Sequence, residues 1–132
     1  MQIQVLDKNE WTFSTVLGLH REFLRAGSDV MQAFTFYASD DKLDNRGNSA
    51  AEKYTGYAIN KKAAELAKQV AAEGDALTLG GLSQCPTYLS GAGKAEVQEE
   101  FRKQIKVFVE SDLDFLLCEV MPPRSLWRAE AG

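Results

Sequence analysis

Residues 12–36 read TFSTVLGLHREFLRAGSDVMQAFTF, and this stretch decides the fold. Val16, Leu19, Phe23 and Leu24 fall on one helical face within 12–26. Gly27 then ends the helix, because glycine accepts a left-handed backbone without a Cβ clash. After Ser28 and Asp29 comes VMQAFTF, an apolar run of strand length at 30–36. The same order returns at 60–82. Asn60 reads as an N-cap, Ala63, Ala64, Leu66, Ala67, Val70 and Ala71 form the apolar face, Gly74 ends the helix, and Asp75 precedes ALTLGGL. It returns again at 94–120, with Val97, Phe101, Ile105 and Phe108 on the helix, Ser111 and Asp112 at its exit, and DFLLCEV as the strand.

Helix, turn, Asp and strand in this fixed order predict successive βα units, with Asp29, Asp75 and Asp114 just ahead of the strands. Strands apolar on both faces belong to a parallel sheet covered by helices. Residues 2–6, QIQVL, alternate polar and apolar and read as a further strand ending at Asp7; the same stretch also reads as a loose tail. The fold class is therefore α/β, with three to four parallel strands and covering helices.

The rest of the chain is consistent with one domain spanning 1–132. Its 15 Lys and Arg against 19 Asp and Glu give a net charge of −4, which recommends neither nucleic acid nor an anionic membrane as partner. No apolar run approaches the roughly 20 residues of a membrane helix. The opening MQIQVLDKNEW lacks the basic-then-apolar layout of a signal peptide, so a cytoplasmic location is expected. The two cysteines, Cys85 and Cys118, have no metal-ligand spacing and no local His partner. No metal site is expected from them.

In parallel α/β sheets the loops after the strands gather at one end, where ligands bind. The strand ends here offer Gln32, Thr35, Phe36 and Tyr37 with the acidic run Asp40, Asp41 and Asp44; then Gly80, Gly81, Ser83 and Gln84; then Glu119. A carboxylate closing the apolar strand FLLCE is costly unless paired or facing a site, so Glu119 is either a ligand contact or the partner of a neighbouring donor. Phe34 and Phe36 share one strand face and read as core, while Tyr37, past the strand, can wall a ligand. Aromatic faces also attract quaternary ammonium groups, by roughly 0.5–2 kcal/mol each. Gly80-Gly81 has no following Lys-Ser or Lys-Thr and is a weak phosphate cradle. His20, mid-helix beside Arg21 and Glu22, reads as a surface or packing residue. Composition and spacing name no reaction.

The runs LHREFLRAGSDVMQAFTFYASDDKLDNRGN (19–48), GDALTLGGLSQCPTYLS (74–90) and DLDFLLCE (112–119) closely resemble the betaine–homocysteine S-methyltransferases. The resemblance implies a (β/α)₈ barrel, of which this chain would be a part, and methyl transfer from betaine to homocysteine, giving dimethylglycine and methionine. In that family three cysteines hold a zinc ion that lowers the thiol pKa of homocysteine. Position by position, it implies that Glu119 holds the homocysteine amino group, that Tyr37 lies beside betaine, and that Gln32 and Phe36 sit at the mouth of the same pocket. Asp7 would answer the family's Asp-Gly-Gly aspartate, although Lys8 follows it, and Trp11-Thr12 would answer a Trp-Thr near betaine.

The departures are as informative. Ala33 stands where the family has Thr, and Val120 where it has Tyr; residues 1–18 and 120–132 diverge. The family's zinc cysteines come from the second half of the barrel, so no zinc is expected on this chain. A complete barrel of this kind needs ~250 residues. The expectation is a truncated homocysteine-binding domain, inactive by itself. The alternative is a non-catalytic half-barrel that self-associates through its open sheet edges or binds a full-length paralogue.

Overall fold

The computed structural model describes residues 5–36, 38–44, 54–82 and 84–118, and the side chains of 5–13, 44 and 89 are not part of that description. Three parallel strands form one sheet in the order β1-β2-β3: Val30–Gln32, Leu77–Leu82 and Phe115–Cys118. The helices are α1 (Val5–Arg25), α2 (Asp40–Asp44), α3 (Gly56–Ala71), α4 (Pro86–Leu89) and α5 (Lys94–Glu110). A strand order that never reverses puts the crossover helices α3 and α5 on one face of the sheet. None of the described helices is long and apolar enough to cross a membrane.

The repeat seen in the sequence is real and has a common exit. The amide of Ser28 bonds to Phe23 O, that of Ala76 to Ala71 O and that of Leu113 to Phe108 O, at 3.1, 3.1 and 3.3 Å. This six-residue closure needs one left-handed residue before the strand. Gly27 supplies it at φ 93°, but in the other two units Asp75 (φ 57°) and Asp112 (φ 53°) do so. Aspartate tolerates that region better than most side chains. Gly74, read from sequence as the helix terminator, is small for another reason: a Cβ there would lie 2.9 Å from the Leu24 side chain.

Alternation along the strands separates two faces. A Cβ on Gly80 would lie 2.8 Å from the Phe108 ring, so Gly80 faces α5, and by the period of two so do Thr78 and Leu82. In register, Met31 lies beside Thr78 and joins them. Met31, Ala33, Ala63, Ala67, Val70 and Ala71 form the core there, closed by Leu17 and Leu24 of α1. The opposite face carries the row Gln32, Leu79 and Phe115. The described residues thus form an α/β arrangement with a three-stranded parallel sheet and covering helices.

Several expectations from sequence are corrected. The proposed strand at 2–6 is not one at its C-terminal end: Val5 and Leu6 open α1, and residues 2–4 lie outside the described residues. Nothing between Val5 and Gly18 breaks a helix, so the first helix is longer than the apolar face alone suggested. The 30–36 strand stops at Gln32, because Thr35 N turns back to Ala33 O at 2.9 Å. Phe34 and Phe36 are therefore not core; they are 68% and 41% exposed. Asn60 is not the N-cap of α3. Thr55 is, its hydroxyl accepting from Ala58 N at 3.1 Å, and Asn60 is buried a turn further in. Finally, β3 is exposed at all four positions, not covered on both faces.

Candidate functional site

The C-terminal ends of β1 and β2 are built together. Leu79 O accepts from Ala33 N at 2.8 Å, and Gly81 O accepts from the Thr35 hydroxyl at 3.0 Å, beyond the last ladder pair. The chain then turns into α2. Asp40 Oδ1 accepts from Gly56 N at 2.7 Å, and Asn60 Nδ2 donates to Ala38 O at 3.0 Å. Gly56 is obligatory at this junction: a Cβ there would lie 2.8 Å from both Ala38 O and Asp40 Oδ1. Asp41 Oδ2 accepts from both the amide (3.0 Å) and the hydroxyl (2.7 Å) of Thr87. The loop after β1 is thereby tied to α3 behind it and to the loop after β2 beside it.

Of the residues singled out from sequence, the structure brings Gln32 and Phe36 together. Both line a groove of about 460 Å³ between α1 and β1, an outer strand among the described residues, with Leu19, His20, Phe23 and Phe34. Its walls are apolar and open: Leu19 is 48% and Phe23 54% exposed. His20 is the titratable residue among those lining it. It is buried, its Nε2 has no partner among the described residues, and burial holds its pKa below the ordinary histidine value. Sequence reading placed it as a surface or packing residue; it is packed, and it lines the groove.

The remaining assignments fall elsewhere. Asp7 and Trp11 lie in the helix α1, not at the end of a strand. Tyr37 and Glu119 lie outside the described residues, Glu119 directly after the last residue of β3. The Asp41–Thr87 tie was invisible in the sequence, since nothing local marks a pair 46 residues apart.

The cysteines do not suit a zinc centre of three thiolates. There are two in the sequence. Cys85 is fully buried, its Sγ accepting from Gln104 Nε2 at 3.4 Å. Burial, reinforced by the carboxylates of Asp41 and Glu100, pushes its thiol up to about 12, against forming a thiolate. Cys118 is exposed on β3. Among the described residues no group of three His, Cys, Asp or Glu could hold a metal.

Comparison with known proteins fits this architecture. Residues 3–130 match the family model described as homocysteine S-methyltransferase. The chain is 55% identical over 115 residues to betaine–homocysteine S-methyltransferase 1 of Sus scrofa, covering 86% of this chain and 41% of that protein. It is 55% identical over 115 residues to the enzyme of that name from Mus musculus, covering 28% of it. With that of Danio rerio it shares 58% over 101 residues, 76% of this chain and 25% of the relative. The chain thus spans less than half the length of these relatives.

Proposed function

The chain belongs to the homocysteine S-methyltransferase family, and from that premise we propose that it carries the amino-acid and betaine contacts of methyl transfer from betaine to homocysteine. The observation that carries this reading is identity above half over most of the chain with relatives named for that reaction. Gln32 and Phe36 at one strand end, on the groove, support it. In this reading Glu119 holds the ammonium of homocysteine and Tyr37 meets the cationic nitrogen of betaine, whose methyl is electrophilic because that nitrogen is positively charged. Zinc supplies thiol activation in the family. The cysteines of this chain do not fit that role, and in this reading its own residues bind and orient the two substrates. Its setting is the cytoplasm.

The test is titration of the purified chain with betaine and, separately, homocysteine. Tyr37→Ala should weaken betaine by about 2- to 30-fold, the range a single cation–π contact supplies. Glu119→Gln should weaken homocysteine and leave betaine unchanged. A cooperatively folded chain that binds neither compound would overturn the proposal.

A second reading has its own observation. Within the described residues both outer strands of the sheet lack a neighbour; Phe115, Leu116 and Leu117 are exposed on β3, and Phe34 and Phe36 are exposed just past the end of β1. Such edges are templates for association. The chain would then pair with a second copy or with a full-length paralogue.

A further inference from the structure

The segment leaving β1 is held from three sides. Asp40 and Asn60 hold it to α3, through Gly56 N and Ala38 O. Thr35 holds it to the end of β2, through Gly81 O. The third tie is Asp41, whose single oxygen Oδ2 receives both donors of Thr87. Thr87 is itself on a firm base. It lies in α4, which starts at Pro86 directly after the fully buried Cys85, and Cys85 is in turn bonded to Gln104 of α5.

We propose that Asp41 is a positioning residue for the ligand mouth: by gripping Thr87 it locks the segment carrying Gln32 and Phe36 onto the loop after β2 before any ligand arrives. The claim rests on the reading of the mouth as a betaine site. The ties to α3 fix the segment only from behind the sheet. The Asp41–Thr87 grip and the Thr35–Gly81 bond run sideways, between successive strand ends, and so set the spacing that a ligand bridging those ends would meet. Pre-arranging a loop in its bound form raises affinity because the ordering cost is met during folding. A hydrogen bond to a charged group is stronger than a neutral one, which makes Asp41 the dominant sideways tie.

Amide exchange followed by mass spectrometry on the full chain, paired with betaine titration, tests this. Asp41→Ala and Thr87→Val should each speed exchange across 33–39 by about 10-fold, as expected for a lost charge-assisted hydrogen bond. Exchange in the middle of α3 should not change. Betaine affinity should fall in both variants, and Thr87→Ser, which keeps the hydroxyl, should behave as wild type in both measurements. Unchanged exchange in 33–39 would overturn the proposal, and so would faster exchange with wild-type betaine affinity. A wild-type chain with no affinity for betaine sinks the functional reading above; the grip itself is then decided by the exchange alone.

Discussion

Cys85 and Cys118 show how far one residue type can diverge in two settings. Cys85 is fully buried and its thiol is pushed up to about 12, whereas Cys118 is exposed at the sheet edge. Thiolate is the reactive form. At neutral pH a thiol reagent should therefore label one cysteine rapidly and the second only in denaturant; two rapid equivalents would show that the Cys85 environment is wrong. The titrating groups around the mouth set the response to acid. Burial acts to raise the Asp41 carboxyl, but the hydrogen bonds it accepts, those from the Thr87 amide and hydroxyl among them, outweigh it and leave the pKa below its ordinary 3.8. Its stabilising contribution is present above the unfolded value and lost as pH falls through the folded one. His20 acts earlier. Its folded pKa is held below 6.5, so the unfolded chain takes up the proton first and stability declines as pH drops beneath that value. Wild type should lose thermal stability between neutral pH and the folded pKa of His20, and His20→Phe should flatten that limb. An unchanged slope in the variant would show that His20 does not titrate in this way.

At the level of elements, α5 packs tightly on β2. A Cβ at Gly80 would sit 2.8 Å from Cγ of Phe108, itself 1% exposed and unable to retreat. Gly80→Ala should cost about 1–3 kcal/mol, the usual penalty of overpacking a filled core, read as a shift in the denaturant midpoint. The double variant Gly80→Ala, Phe108→Leu should recover part of it. The same elements show what the sequence could disclose. Helical spacing, the strand runs after each turn and the recurring Asp identified three βα units, because periodicity reports the buried face directly. Strand length was less legible: VMQAFTF is apolar throughout, yet the chain turns at Thr35, since the hydroxyl finds Gly81 O and the amide finds Ala33 O. Helix ends misled for a similar reason. Gly74 and Asn60 carry the right residue types for a stop and a cap, but Gly74 yields space to Leu24, and Asn60 is spent on Ala38 O. Gln32 stood out in the sequence by its place at a strand end, whereas Phe36 read there as core, and the structure sets both on one groove. The Asp41–Thr87 tie depends on a separation that no local pattern encodes.

At the scale of the whole molecule, the described residues form a sheet whose two outer strands have no neighbouring strand among them. The face opposite α5 carries Gln32, Leu79 and Phe115; Phe115 and Leu117 on β3 are 41% and 44% exposed, and Phe34, just past the end of β1, is 68% exposed. Parallel edges are complementary only head to tail: β1 of one copy can accept β3 of another with every strand still pointing the same way. Such a contact is heterologous, so it continues until it closes or grows into an open array. If the margins govern behaviour, sedimentation at rising concentration should show species beyond a monomer. Phe34→Lys on one margin and Phe115→Lys on the other should each return the chain to monomer, because a charge on an edge opposes strand addition. An equimolar mixture of the two variants is the decisive case. Each retains one unaltered margin, and those two margins are the complementary ones. The mixture should therefore form a defined pair and stop there. Monomers at every concentration, in wild type and mixture alike, would remove association from the reading and leave ligand binding as its sole support.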